Sequence, residues 1–414
     1  MIKKSFIDNY FLILLSAIPF SIILGSSISL INILLISMSF LFLLINKKYF
    51  FLFKKNISLY FLLIYLYLIF NSIISIDTET GLARNVGFFR FILLFFALNY
   101  IFFNSKNINL AFKIWILIIL VVIADGFYEI IFGQNILGYK LSQSTPQGRI
   151  VSFFKDELII VSFLNGFIFL ILGYLYQNFD NKNLNKNFLT FLILSMFIVF
   201  IIFSGERSNT IKAIIGLFIF FTLNHHIKLK IKIIGVLAAI ILFSVSFKNN
   251  DWVKYRYGDD LLLRIINKDK REIYIKNSLY FELYRSGLEV FKKYPYFGVG
   301  NKNYRVVSCI VDSPLECNTH PHQIYIEILA EHGLFGFILL LSILFYLIFK
   351  NLKIILLSRN MLQIGAFCYL LINFIPLIPG GSFFNDFNAT LFWLNLSFLY
   401  ASNPKTNIFN KIMK

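Results

Sequence analysis

Long apolar runs recur along this chain, most of them close to the ~20 residues that an α-helix needs to cross a hydrocarbon layer, and short Lys-bearing connections separate them. A backbone in lipid must satisfy its own N–H and C=O groups, so repeated runs of that kind leave an all-α, polytopic membrane protein as the fold class. The composition, 58% hydrophobic and 14% charged, points the same way. We place helices at about 10–25, 28–45, 57–75, 88–103, 109–133, 158–176, 188–203, 209–224, 232–247, 323–349, 361–378 and 388–402. The start, MIKK followed by an apolar run, is like a signal peptide without a small-x-small cleavage site, and is read as the first span.

Twelve spans put both termini on one side. One set of loops and tails holds eighteen Lys and Arg, whereas the short loops opposite hold five: Arg84, Lys140, Arg149, Lys155 and Arg207. The richer side, with both termini, is expected to be cytoplasmic. Residues 248–322 carry thirteen more on the outer side, but a loop of that length is translocated largely regardless of charge. The expected organisation is nine helices over 1–247, one large periplasmic loop with short helices over 248–322, and three helices over 323–414. The net charge of +18 is then a topology signal, and no nucleic-acid partner is expected.

Arginine is distributed differently from lysine. Arg84, Arg90, Arg149, Arg207, Arg256, Arg264, Arg271, Arg285 and Arg305 fall outside or at outer helix ends, and only Arg359 falls inside. Guanidinium forks bind phosphate bidentately, whereas a topology signal needs only positive charge; the plainer explanation is that a large outer loop collects Arg. Arg90, Asp125, Glu129 and Lys212 interrupt apolar runs near their outer ends. Charges at such depth usually face a bundle interior or a water-filled cavity, so a polar pocket open to the outside is expected, with interfacial snorkelling as the alternative. The SGERS hairpin, Ser204–Ser208, places Arg207 in the first turn of an outgoing helix, where backbone N–H groups already favour an anion such as a diphosphate.

From Asn318 to Leu340 a polar segment containing His320, Pro321, His322 and Gln323 runs straight into an apolar helix. His320 and His322 alone are a thin metal site: on a continuous helix His332 would lie ~15 Å beyond His322. A neutral imidazole among arginines is instead a candidate general base, the plainer role being a helix cap or hydrogen-bonding group. No metal and no cofactor is expected.

This segment, with Glu327, Leu329, Glu331, Gly333 and Gly336, resembles the hallmark of the bacterial O-antigen ligase and O-antigen polymerase superfamily. The hairpin around Arg207, and Arg285 with Gly287, Pro295, Gly298 and Gly300, match in the expected order, although Gln323 stands where Asn or Ser is commoner and Glu206 is unusual before the arginine. The resemblance implies a GT-C-like membrane glycosyltransferase, without metal or nucleotide sugar, taking a glycan from an undecaprenyl diphosphate carrier. It implies that Arg207 and Arg285 hold the diphosphate and that His322 accepts the acceptor hydroxyl's proton. His320, Arg90, Asp125, Arg149, Gln323 and Arg305 are candidate substrate-binding residues.

The leading expectation is a ligase of the bacterial inner membrane, working at the periplasmic face with lipid A core as acceptor among membrane lipids. A polymerase, with a second lipid-linked glycan as acceptor, and a non-enzymatic transporter of such lipids are the alternatives. Cys309 and Cys317 sit on the same outer loop, so a disulfide positioning His320 and His322 is expected, with two free thiols as the alternative. Cys368 reads as core.

Overall fold

The computed structural model describes residues 4–410 apart from 48, 105–106, 143–147, 156, 178–183, 226, 263–265, 311–312 and 314, with the side chains of 4–5, 53, 184–186, 260, 270 and 277 also left aside. Arg264 and Lys3, Lys48, Lys106, Lys182, Lys411 and Lys414 of the charge count lie outside the described residues. Among the described residues there is no strand, only isolated bridges pairing Gln134 with Lys140 and Ser142 with Arg149. Among the described residues seven helices are long and apolar enough to cross a membrane, and shorter apolar helices accompany them. The chain is an all-α, polytopic membrane protein.

The helices are α1 (Lys4–Ser16), α2 (Ile18–Ile23), α3 (Ser26–Asn46), α4 (Asn56–Ile73), α5 (Thr78–Val86), α6 (Phe89–Asn104), α7 (Ile108–Phe132), α8 (Ile160–Gln177), α9 (Leu184–Phe203), α10 (Arg207–Leu223), α11 (Leu229–Asn249), α12 (Lys268–Asn277), α13 (Leu279–Lys293), α14 (Tyr304–Ser308), α15 (Ile324–Phe349), α16 (Leu352–Leu357), α17 (Met361–Asn373) and α18 (Asp386–Ala401). Each expected helix range is occupied, and the differences follow from local chemistry. Pro19 lacks an N–H and crowds the preceding turn, so the first run divides into α1 and α2. Helix α17 stops at Asn373, short of the expected 378, because Pro376 and Pro379 follow. The sequence reading did not anticipate α5, whose first turn is capped by the Asp77 side chain accepting from Glu79 N at 3.1 Å.

The helix after the histidines is broken rather than continuous. Gly333 has φ +62°, and the turn that ends α13 enters the break. Leu334 N and Phe335 N donate to Pro295 O at 2.7 Å and Tyr296 O at 3.0 Å, while Val299 N and Gly300 N donate to Ala330 O and Glu331 O. The donors and acceptors freed by the break are thus paired within the protein, the condition for irregular backbone at such depth. A Cβ on Gly298 would lie 2.3 Å from the Glu331 carbonyl carbon, and one on Gly336 would lie 2.0 Å from Tyr67 Oη. Gly298 and Gly333 therefore record backbone-to-backbone contact between two parts of the chain, and Gly336 the close approach of the Tyr67 side chain.

The core is centred on α8, packed against α17 and α18. Gly173 lies against Met361 and Leu362, and Gly365 against Phe169. Asn395 donates to Gly166 O at 2.9 Å. Gln177, at the end of α8, accepts from Met361 N at 2.7 Å, and Asn360 donates to Ser402 O at 2.9 Å. Helices α8 and α18 therefore run in the same direction and begin at one end of the bundle, called the site end below.

Candidate functional site

At the site end the SGERS hairpin joins α9 to α10. Gly205 has φ +77°, and a Cβ there would meet Trp252 at 2.7 Å and Arg149 at 3.2 Å. Only a glycine lets those two side chains close over the turn. Arg256, 3% exposed, donates Nε and Nη2 to Gly205 O at 3.2 and 2.6 Å and lies over the Trp252 ring at 5.5 Å. The start of the large loop thus folds back onto the hairpin and brings Arg256 to Arg149 and Arg207.

Glu206, one residue before Arg207, accepts from Val161 N through Oε1 at 3.0 Å and from Asn209 Nδ2 through Oε2 at 2.7 Å. Burial pushes its carboxyl up to about 7, against the opposing pull of the Asn209 and Val161 bonds and the Arg149 charge.

The histidine segment is held from both sides. A disulfide joins Cys309 to Cys317 with Cα atoms 4.5 Å apart, and Ser308 Oγ donates to Asn318 O at 3.3 Å. His322 adopts φ +56°, an unfavourable region for a non-glycine residue that persists only where its surroundings impose it. Here Gly380 N donates to His322 O at 2.8 Å, and the His320 ring centroid lies 4.0 Å from that of His322, the rings tilted by 39°. His320 Nδ1 and Nε2 lie 2.9 Å from Thr319 Oγ1 and 3.4 Å from Gly380 O. Tyr280 of α13 approaches the His322 ring edge-on at 5.8 Å. Desolvation lowers both imidazoles to about 4, each further depressed by nearby positive charge: the cationic form of His320 acts on His322, and Lys302 and Arg305 on His320. Both rings are neutral at pH 7.

These parts meet in one cavity of about 410 Å³. Arg149, Glu206, Arg207, Lys212, Arg256, Tyr280 and His322 line it, together with Ser162, five asparagines (Asn165, Asn209, Asn373, Asn385 and Asn388), Tyr369, Phe383, Phe387 and Phe392. The 378–388 connection supplies much of one wall, including Gly380 and Gly381. A Cβ on Gly380 would sit 3.0 Å from Lys212 Nζ, so a cation and the backbone that holds His322 are neighbours.

The cavity thus gathers His322, Arg207 and Arg149 of the residues expected at the site, along with Lys212. Other expected residues are placed elsewhere. Arg285 is on the exposed face of α13 and donates to Ile275 O at 3.2 Å; Arg305 is exposed on α14. Gln323 caps α15, accepting from Ile326 N at 2.9 Å. Arg90, 5% exposed, pairs with Asp386 and donates to Gly87 O at 2.7 Å. Asp125 accepts from Ile136 N at 3.0 Å and Ser152 Oγ at 2.5 Å, and Glu129 from Ser152 N at 2.6 Å, so both carboxylates hold the 134–155 connection.

Residues not assigned to the site from sequence are Arg256, Tyr280 and the asparagines. A signal for the asparagines existed: Asn165, Asn373 and Asn388 interrupt apolar runs, where a carboxamide is costly unless partnered. The sequence reading applied that test to ionisable groups alone.

No curated protein matches the chain. Residues 189–341, which include the hairpin, the large connection and the histidine segment, match the sequence model of the family described as O-antigen ligase. That match spans Arg207 and His322, so the part of the chain that carries both is similar to the O-antigen ligase family.

Proposed function

We propose that this protein is a ligase-type glycosyltransferase that moves a glycan from an undecaprenyl diphosphate carrier to the lipid A core, at the periplasmic face of a bacterial inner membrane. The observation that carries the reading is the single cavity in which a neutral His322 faces Arg207, Arg149, Arg256 and Lys212. In the reaction the acceptor hydroxyl oxygen attacks the anomeric carbon, and its proton passes to a ring nitrogen of His322. The bond from the anomeric carbon to the diphosphate oxygen breaks, and the electron pair leaves with the diphosphate. Arg207, assisted by the other three cations, neutralises that charge; such aimed charges in a dry site are usually the largest electrostatic contribution to catalysis.

The depressed His322 suits this order of events. Its imidazole starts neutral, and an anion held close by raises its pKa toward the range where a general base works best. Arg285 keeps a carrier-binding role on the resemblance alone.

In cells, His322→Ala is expected to reduce glycan attachment by about 10²–10⁴ and Arg207→Ala by about 10²–10³. Arg285→Ala, acting from outside the cavity, should reduce it less than Arg207→Ala. Full attachment by His322→Ala at normal protein level rejects the reading. The lipid-linked pool of a deletion strain tests the acceptor: long glycans left on the carrier mark a ligase, and single repeats mark a polymerase.

A further inference from the structure

The cavity wall carries asparagines beside the four cations, and three of them have an amide N–H already engaged. Asn165 donates Nδ2 to Asn209 O at 3.0 Å, Asn209 donates Nδ2 to Glu206 Oε2 at 2.7 Å, and Asn388 donates Nδ2 to Ser382 O at 2.9 Å. The two backbone carbonyls accept only, which fixes the orientation of the Asn165 and Asn388 amides. Asn165 is 3% exposed and its Oδ1 is buried with no hydrogen-bond partner.

The helix register brings the third amide to the same place. Leu391 packs on Gly166, and Asn395 donates to the carbonyl of that glycine. Because α8 and α18 run in the same direction, one turn toward the site end sets Asn388 level with Ser162 and Asn165. Phe387 lines the same wall.

We propose that Asn165, Asn209 and Asn388 form a sugar subsite that takes hydroxyl groups of the glycan next to the carrier diphosphate; this rests on the reading above. The unpartnered carboxamide oxygen of Asn165 is an acceptor that matches a hydroxyl donor and opposes a phosphate, whose oxygens also accept. An aromatic edge supplies an apolar surface for the C–H face of a pyranose. A site built to accept from substrate hydroxyls discriminates strongly against a ligand lacking them, because its own buried acceptors are then left unpaired. The cations thus suit the diphosphate and the amides the sugar.

The test is direct binding to full-length protein in nanodiscs. The two probes are bare undecaprenyl diphosphate and the lipid-linked glycan extracted from the deletion strain. Wild-type protein should bind the glycan-linked form more tightly than the bare carrier. Asn165→Leu and Asn388→Leu should each weaken the glycan-linked form about tenfold while changing the bare carrier less than twofold, whereas Arg207→Ala should weaken both. Asn388→Ala, at a half-buried position, serves if the buried Asn165→Leu does not fold. Equal wild-type affinity for the two probes, or asparagine variants that leave both affinities unchanged or lower both alike, overturns the subsite and leaves the glycosyltransferase reading standing. A wild-type protein that binds neither probe overturns both.

Discussion

Two residues of the site end have folded-state pKa values moved in ways that predict opposite responses to acid. His322, lowered to about 4 from an ordinary 6.5, takes up its proton in the unfolded chain first, so it destabilises the fold progressively as pH drops from about 6.5 toward 4. Glu206, raised to about 7, takes up its proton in the folded chain first, so the fold gains stability from it as pH drops from about 7 toward the carboxylate's ordinary range. Glu206→Gln removes only the second contribution. Its thermal stability should therefore fall more steeply than that of wild type between pH 7 and pH 5, by on the order of 1–3 kcal/mol. Parallel unfolding profiles for the two proteins would show that Glu206 is not buried as described. Which residues line the cavity was partly legible: Arg207, Arg285 and His322 all announced themselves by motif, yet Arg285, like Arg305, is exposed and only the other two line it. The sequence shows that a side chain is charged, not which face of a helix carries it.

Among elements, the broken helix α15 and the turn after α13 behave as one part. Gly298, with φ +70°, faces main-chain atoms of Glu331 that have nowhere to move. Gly298→Ala should cost about 2–4 kcal/mol, the range of severe backbone and packing lesions. Gly138, with φ +85° but nothing within 4 Å of a built Cβ, should cost only about 1 kcal/mol when changed to Ala, from backbone strain alone. Comparing the melting of the two variants separates crowding from conformation, and equal losses would contradict the interlock. The glycines were visible in sequence as part of a motif. That they serve a contact between residues 295–300 and 330–335 was not, because a left-handed or close-packed glycine looks the same as one in a flexible turn until its neighbour across space is known.

On the scale of the whole molecule, the first helices are tied to the site through one carboxylate. Arg84 and Arg90 both pair with Asp386, at the start of α18 and beside Asn385 and Asn388 of the cavity wall. The Arg90 side chain is 6% exposed, whereas that of Arg84 is 29% exposed. Removing a partner from a buried ion pair leaves a charge without compensation, so Asp386→Ala should destabilise by about 3–5 kcal/mol. Arg84→Ala, at the more exposed end, should cost about 1 kcal/mol or less. Chemical unfolding in detergent measures both, and similar small losses would mean that Arg90 is hydrated. The apolar runs alone determined the class of this protein and its long apolar helices, since a ~20-residue apolar stretch has no alternative in lipid to satisfying its backbone as a helix. Only the tertiary structure decided which polar residues those helices share. Helix ends far apart in the chain meet at the site end, where Asn165, Arg207, Arg256, His322 and Asn388 line one cavity while Arg90 and Asp125 hold the framework. Packing register and loop return set those meetings, and neither is written in the periodicity of any single segment.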